Sequence, residues 1–149
     1  MLTIKKTYTW EMGHALLKVG NDDKCYSPHG HNYRLIVEVA REDEKANADS
    51  DMVINFHELD RQIEPLIEEM DHTFHYNGAD DRFYAGGGYI PLPCDPTAEA
   101  LCGILFGSID RAITFGEPKN EALLNFSGLT LISLELYETD KASAKIYSS

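Results

Sequence analysis

The sequence predicts an α+β domain, in which two helices pack on one face of a four-stranded antiparallel sheet, and three observations lead there. Residues 32–40 alternate cleanly, with Tyr33, Leu35, Val37 and Val39 on one face and Arg34, Ile36 and Glu38 on the other. After Asn55, the residues Phe56, Leu59, Ile63, Leu66, Ile67 and Met70 recur at helical spacing and make one apolar face. After Gly128, two further extended runs close the chain, residues 129–138 and 142–147, the pattern of a hairpin.

Each element follows in order. Residues 2–12 alternate loosely and include Ile4, Tyr8 and Trp10, a first strand that ends just before His14. The cluster Gly20-Asn21-Asp22-Asp23 breaks it from the strand over residues 32–40, leaving a long loop between the two. Residues 41–51 are charged and read as a solvated connection. Asn55 caps the first helix, and Glu58 three residues on completes a capping box. Gly86-Gly87-Gly88 with Pro91, Pro93 and Pro96 marks an irregular loop. A second helix starts near residues 95–97 and buries Leu101, Cys102, Leu105, Ile109, Ala112 and Ile113. No repeat or linker divides residues 1–149, so one domain is expected.

Composition narrows the function. Thirteen Lys and Arg against 25 Asp and Glu give a net charge of −12. Nucleic acid is therefore not the expected partner, because phosphate neutralisation needs clustered cations. A phosphorylated small ligand would need a local basic patch, for which Lys18, Lys24 and Arg34 are the nearest candidates. No apolar run approaches the roughly 20 residues that cross a bilayer, so no membrane partner is expected. Three cysteines fit free thiols in a reducing compartment, and a cytoplasmic location is the default.

The strongest chemical signal is His29-Gly30-His31. Residues two apart on an extended backbone point to the same side, so both imidazoles can reach one metal ion. His14 is the natural third ligand from a neighbouring strand, and three histidines with an open fourth position describe a catalytic zinc site. Cys25, four residues before His29, is either a fourth zinc ligand or a thiolate general base. Lys24 and a nearby zinc would lower its pKa. Asp71-His72 after the first helix can orient an imidazole for proton transfer or simply end the helix. Glu138, at the end of the strand over residues 129–138, is suited to accept parallel hydrogen bonds from the ring N–H and 2-amino group of a pterin. Glu99, in Pro96-Thr97-Ala98-Glu99, supports such a pocket or only favours the helix start through its dipole, and Thr97 beside it is a candidate substrate-binding residue.

Taken in order, these pieces resemble the 6-pyruvoyltetrahydropterin synthase superfamily over essentially the whole chain. The resemblance runs through Trp10-Glu11-Met12-Gly13-His14, Cys25 with His29-Gly30-His31-Asn32-Tyr33, and Met52-Val53-Ile54-Asn55-Phe56. It continues through Asp71-His72, Pro96-Thr97-Ala98-Glu99 and Tyr137-Glu138-Thr139. It implies a tunnelling fold that assembles into an oligomeric barrel, with zinc on His14, His29 and His31. It further implies proton abstraction by Cys25, a proton relay through Asp71 and His72, a pterin anchor at Glu138, and dihydroneopterin triphosphate as substrate. The spacing Cys25-Tyr26-Ser27-Pro28-His29 resembles the bacterial 6-carboxytetrahydropterin synthases of the queuosine (7-deazaguanine) pathway more than the animal 6-pyruvoyl enzymes. The departures are Trp10-Glu11-Met12-Gly13 before His14, Asn55 at the helix cap, the residues after His72, and a long loop over residues 78–94.

Two rival readings are weaker. A cupin-like metal oxygenase would need a Glu soon after the His pair and a late His, and here the first Glu is Glu38 and no His follows His75. A non-catalytic pterin- or zinc-binding module would not need Cys25, Asp71 and His72. A homo-oligomer (trimer, tetramer or hexamer) with sites between subunits is expected on a further ground. The last long strand reads as apolar on both faces, Leu129, Leu131 and Tyr137 on one and Ile132, Leu134 and Leu136 on the other. A monomer would expose one of them.

Overall fold

The computed structural model describes residues 1–42, 51–116 and 128–149. The connection expected over residues 41–51 lies almost wholly outside them. Among these described residues, six strands and two helices run in the order β1 (Thr3–Ala15), β2 (His29–Arg41), α1 (Phe56–Met70), β3 (Phe74–Asn77), β4 (Tyr89–Leu92), α2 (Ala98–Phe115), β5 (Leu129–Thr139) and β6 (Ala142–Tyr147), with one 3-10 turn at Lys24–Tyr26. They form one sheet of order β4-β3-β1-β2-β5-β6.

The four-stranded antiparallel sheet is thus corrected to six strands of mixed direction. β1, β2, β5 and β6 are antiparallel, while β3 runs parallel to β1 and β4 parallel to β3. Four residues each, set among glycine and proline, give β3 and β4 too little alternation to stand out. β1 and β2 also extend further than the alternation suggested, so that His14, His29 and His31 lie inside strands and not after them.

Alternation sorts β1 and β2 as expected. Tyr8, Trp10 and Met12 join Tyr33, Leu35, Val37 and Val39 on the buried face, against which α1 packs through Leu59, Ile63 and Ile67. α2 packs on β5 and β6 through Leu101, Cys102, Leu105, Ile109 and Ile113. The Cys102 thiol points at the carbonyls of Leu134 and Ala144, 3.6 and 3.5 Å away. Both helices therefore cover the same face.

β5 differs from its expected two-faced pattern. Glu38 pairs with Ser133 but Val39 pairs with Leu131, so Ile132 is an extra, bulged residue. The bulge reverses the phase of the strand, and Leu129, Leu131, Leu134 and Leu136 all become buried. Tyr137 falls on the opposite face, its ring 3.9 Å from the Arg34 guanidinium. The apolar second face invoked for an oligomer is not there. Glu38, Ser133, Glu135 and Lys145 make that side polar, with Glu38 accepting from Thr3 and Ser133.

Helix starts follow their caps. Asn55 accepts from the His57 amide at 2.9 Å, and Thr97 accepts from the Ala100 amide at 3.2 Å. The capping box does not form: Glu58 turns away to meet Arg61 at 3.1 Å.

Candidate metal centre and adjoining cleft

The β1–β2 register sets His14 opposite His29 and Met12 opposite His31. All three imidazoles project from the buried face, where their nitrogens converge within 4.8 Å of one another. His14 is fully buried, and its Nδ1 donates to the Pro96 carbonyl at 2.8 Å. The His29 Nδ1 donates to the Ser27 carbonyl at 2.7 Å. A carbonyl can only accept, so each ring carries its proton on Nδ1 and offers a bare Nε2 to the centre. Those two Nε2 atoms are 2.8 Å apart, and the His31 Nε2 lies 3.2 Å from that of His14. Burial lowers the pKa of both His14 and His31, favouring the neutral, ligand-competent imidazole. Three imidazole nitrogens aimed at one point, two of them oriented by carbonyls, fit a zinc ion in donor type and number.

Glu138 reaches the same centre. The reversed phase of β5 puts it beside Tyr33 on the buried face, and its carboxylate lies 3.3 Å from the His31 Nε2, partly exposed. Burial and then the nearby Glu138 charge push the Tyr33 phenol upward.

Cys25 sits in the 3-10 turn, half-buried, outside the three-nitrogen cluster. Its amide donates to the Asp23 carboxylate at 2.8 Å. The expected depression of its pKa by Lys24 is not what the protein alone produces. Burial raises it first, then the charge and hydrogen bond of Asp23 and the charge of Glu138 raise it further.

Asp71 ends α1 and His72 follows in the left-handed region at φ 59°. The pair does meet, His72 Nδ1 to Asp71 Oδ1 at 2.9 Å. The Glu11 amide donates to the same carboxylate oxygen at 3.0 Å, and this bond is the main reason that the Asp71 pKa is lowered. The His72 amide in turn donates to the Glu11 carbonyl at 2.7 Å, fixing the turn. Both side chains are largely exposed. An open cleft of about 480 Å³ is lined by His72 and Thr73 together with Glu11, Gly13, Gly30 and His31. Thr97 spends its hydroxyl on the α2 cap, and Glu99 is exposed in the first turn of that helix. Arg34 points to the sheet face away from the histidines, so it does not join Lys18 and Lys24 in a patch.

Linear reading passed over three residues that hold the Cys25 loop. Asp95, buried, accepts from the amides of Leu17 and Lys18 at 3.0 and 2.9 Å and from the Asn77 side chain at 2.9 Å. Burial alone would raise its pKa, but those donors more than offset it and the net shift is downward. Arg82 donates to the Tyr26 carbonyl at 2.7 Å and is paired with Asp80. Apart from the Arg82–Asp80 pair, these contacts join residues far apart in the chain, which local pattern cannot reveal.

Comparison with known proteins gives a consistent picture. The family model described as 6-pyruvoyl tetrahydropterin synthase matches residues 3–149. A 6-carboxy-5,6,7,8-tetrahydropterin synthase from Haemophilus influenzae is 37% identical over 83 residues, 55% of this chain and 57% of that protein. One from Aquifex aeolicus is 27% identical over 132 residues, covering 74% of this chain and 80% of that one. Among solved structures, the Caenorhabditis elegans 6-pyruvoyl tetrahydropterin synthase aligns with a TM-score of 0.67 at 19% identity, over 99% of this chain and 96% of that one. A Wolinella succinogenes protein aligns at 0.73 and 18%, over 99% and 98%. At these identities the structures speak to the fold alone.

Proposed function

Because the chain belongs to the 6-pyruvoyl tetrahydropterin synthase family, we propose that it is a zinc-dependent 6-carboxytetrahydropterin synthase. It would convert 7,8-dihydroneopterin triphosphate and water to 6-carboxy-5,6,7,8-tetrahydropterin, releasing acetaldehyde and triphosphate, within queuosine (7-deazaguanine) biosynthesis in the cytoplasm. The observation that carries this reading is the three-imidazole centre with Glu138 and the Cys25 turn beside it. The short Cys25-to-His29 spacing and the names of the two bacterial relatives favour the 6-carboxy product.

In this reading His14, His29 and His31 hold zinc through Nε2. When bound there, the metal supplies Lewis-acid polarisation of side-chain hydroxyls and a positive charge that opposes those of Asp23 and Glu138 around the Cys25 thiol. With its imidazole neighbour committed to metal, Glu138 is left to accept the N–H edge of the pterin. Cys25 takes a proton from the substrate side chain, and His72, charge-stabilised by Asp71, returns and removes protons on the other side. Thr97 and Glu99, at the start of α2, are assigned to substrate binding in this reading.

The exposed Asp71–His72 pair is best used by a second copy of the chain. A homo-oligomer with its sites between subunits follows, and the family's barrel assembly supplies it. Incubation with dihydroneopterin triphosphate and mass spectrometry of the products tests the reaction. Acetaldehyde with 6-carboxytetrahydropterin is expected; a 6-pyruvoyl product would move the assignment to triphosphate elimination without side-chain cleavage.

A further inference from the structure

The connection between β1 and β2 carries Cys25 yet has only a single 3-10 turn of regular structure. Bonds within it, such as that from the Cys25 amide to Asp23, are joined by supports from outside. At its start Asp95 holds the Leu17 and Lys18 amides. Across its neck the Leu16 amide donates to the Cys25 carbonyl at 2.9 Å. At its end stands Arg82, from the long loop between β3 and β4.

We propose that Arg82, held by Asp80, is a positioning residue that fixes the Tyr26 peptide and thereby the direction of the Cys25 thiol. Asp80 has a fully buried carboxylate that takes three N–H bonds from Arg82: Nε at 2.9 Å and the backbone amide at 3.2 Å on Oδ1, and a terminal nitrogen at 2.6 Å on Oδ2. That clamp sets the plane of the guanidinium. The other terminal nitrogen then donates to the Tyr26 carbonyl at 2.7 Å, while the guanidinium carbon lies 3.4 Å from the centre of the Tyr26 ring. The hydrogen bond resists motion in the plane and the stacking resists motion across it. An arginine needed only to neutralise Asp80 would touch neither. Phe83, the next residue, is anchored among Phe74 and Tyr76 at ring separations of 5.0 and 5.4 Å, so the support is tied to β3. Asp80 cancels the charge that an anionic ligand would seek, and the stacked face is already covered by Tyr26.

This inference rests on the catalytic role given to Cys25 above, and the experiment separates the two. Arg82→Ala, Arg82→Lys and Asp80→Asn are compared with the wild type for zinc content, for kcat and KM on dihydroneopterin triphosphate, and for iodoacetamide labelling of Cys25 read by peptide mass mapping. Arg82→Ala is expected to keep its zinc, label several-fold faster, and lose roughly tenfold to a hundredfold in kcat with little change in KM. Added methylguanidinium should restore part of the kcat, which it would not do for a chain that is merely destabilised. If Arg82→Ala does not fold, Arg82→Lys carries the test, since an ammonium can pair with Asp80 but cannot span to the carbonyl in one plane. Wild-type labelling and kcat in a folded variant would overturn the proposal, and so would loss of zinc. Full turnover by Cys25→Ala would sink the cysteine's role instead, while the labelling rate still decides the Arg82 contact.

Discussion

The Nε2 atoms of His14 and His29 lie 2.8 Å apart although both rings have given their Nδ1 proton to a backbone carbonyl. Two lone pairs at that distance repel unless a cation or an added proton stands between them. Burial of His14 works against the proton. The strand register therefore favours a metal ion at this point, and it does so from backbone geometry that a side-chain substitution elsewhere would not relax.

Replacing any one of the three imidazoles should empty the centre. His29→Ala and His31→Ala are expected to fall from about one zinc per chain to near none and to lose turnover, as measured by elemental analysis beside an activity assay. His14→Ala should additionally destabilise the fold, because its ring is buried and bonded to the loop before α2.

Cys25→Ala should retain its metal and lose activity by roughly a factor of 10² to 10⁴, the usual worth of a proton-transfer group. Loss of zinc in parallel with His31→Ala would make the thiol a ligand and refute its role as a base.

Glu138→Gln should weaken binding of a pterin analogue by about 2–5 kcal/mol, the cost of breaking a desolvated charged pair. Calorimetric titration decides it; an unchanged affinity at normal zinc content would remove Glu138 from the pterin pocket.

Sharing of sites between subunits can be tested by complementation. Light scattering at micromolar protein should give a homo-oligomer. Mixing inactive Cys25→Ala with inactive His72→Ala, after dissociation and reassembly, should regain activity, because some sites then draw an intact Cys25 from one chain and an intact His72 from another. A fully active monomer would refute both expectations.

The fifth test concerns pH. Asp95 has a folded pKa below its ordinary value of about 3.9, so its contribution to stability is fully present above that value and disappears as pH falls through the folded pKa. Asp95→Asn should lower stability at neutral pH by about 1–3 kcal/mol, since an amide nitrogen would then face a backbone donor. Thermal melts of both proteins from pH 7 to pH 3 should show the gap narrowing only below about pH 4.

Where the sequence could be read well, one short-range rule was enough. Two-residue alternation placed Tyr33 to Val39, helical spacing placed Leu59 to Ile67, and the same alternation put His29 and His31 on one side. Asn55 and Thr97 announced their helices because a cap acts within one turn. What could not be read depends on contacts between distant residues. β3 and β4 exist because β1 offers an edge to Phe74 and its neighbours, and Arg82 matters through Tyr26, far away in the chain. The misjudged face of β5 is a different case. Strict alternation was the right rule, and one bulged residue changed its phase.

That bulge makes the length of β5 unusually negotiable at one position. Because Leu131 already stands opposite Val39 and Ser133 opposite Glu38, cutting Ile132 out would join two segments that are in step with β2. The shortened strand would keep every β2 partner, with Glu138 still beside His31, and give up the bond from the Ser148 amide to the Ile132 carbonyl. Removing Leu136 instead would carry Tyr137 inward and swing Glu138 to the far side of the sheet. A single-residue deletion at Ile132 should thus yield a folded, metal-binding chain, while one at Leu136 should cost both the core and the carboxylate. Descendants of this fold can lose the codon for Ile132 without rewriting the site.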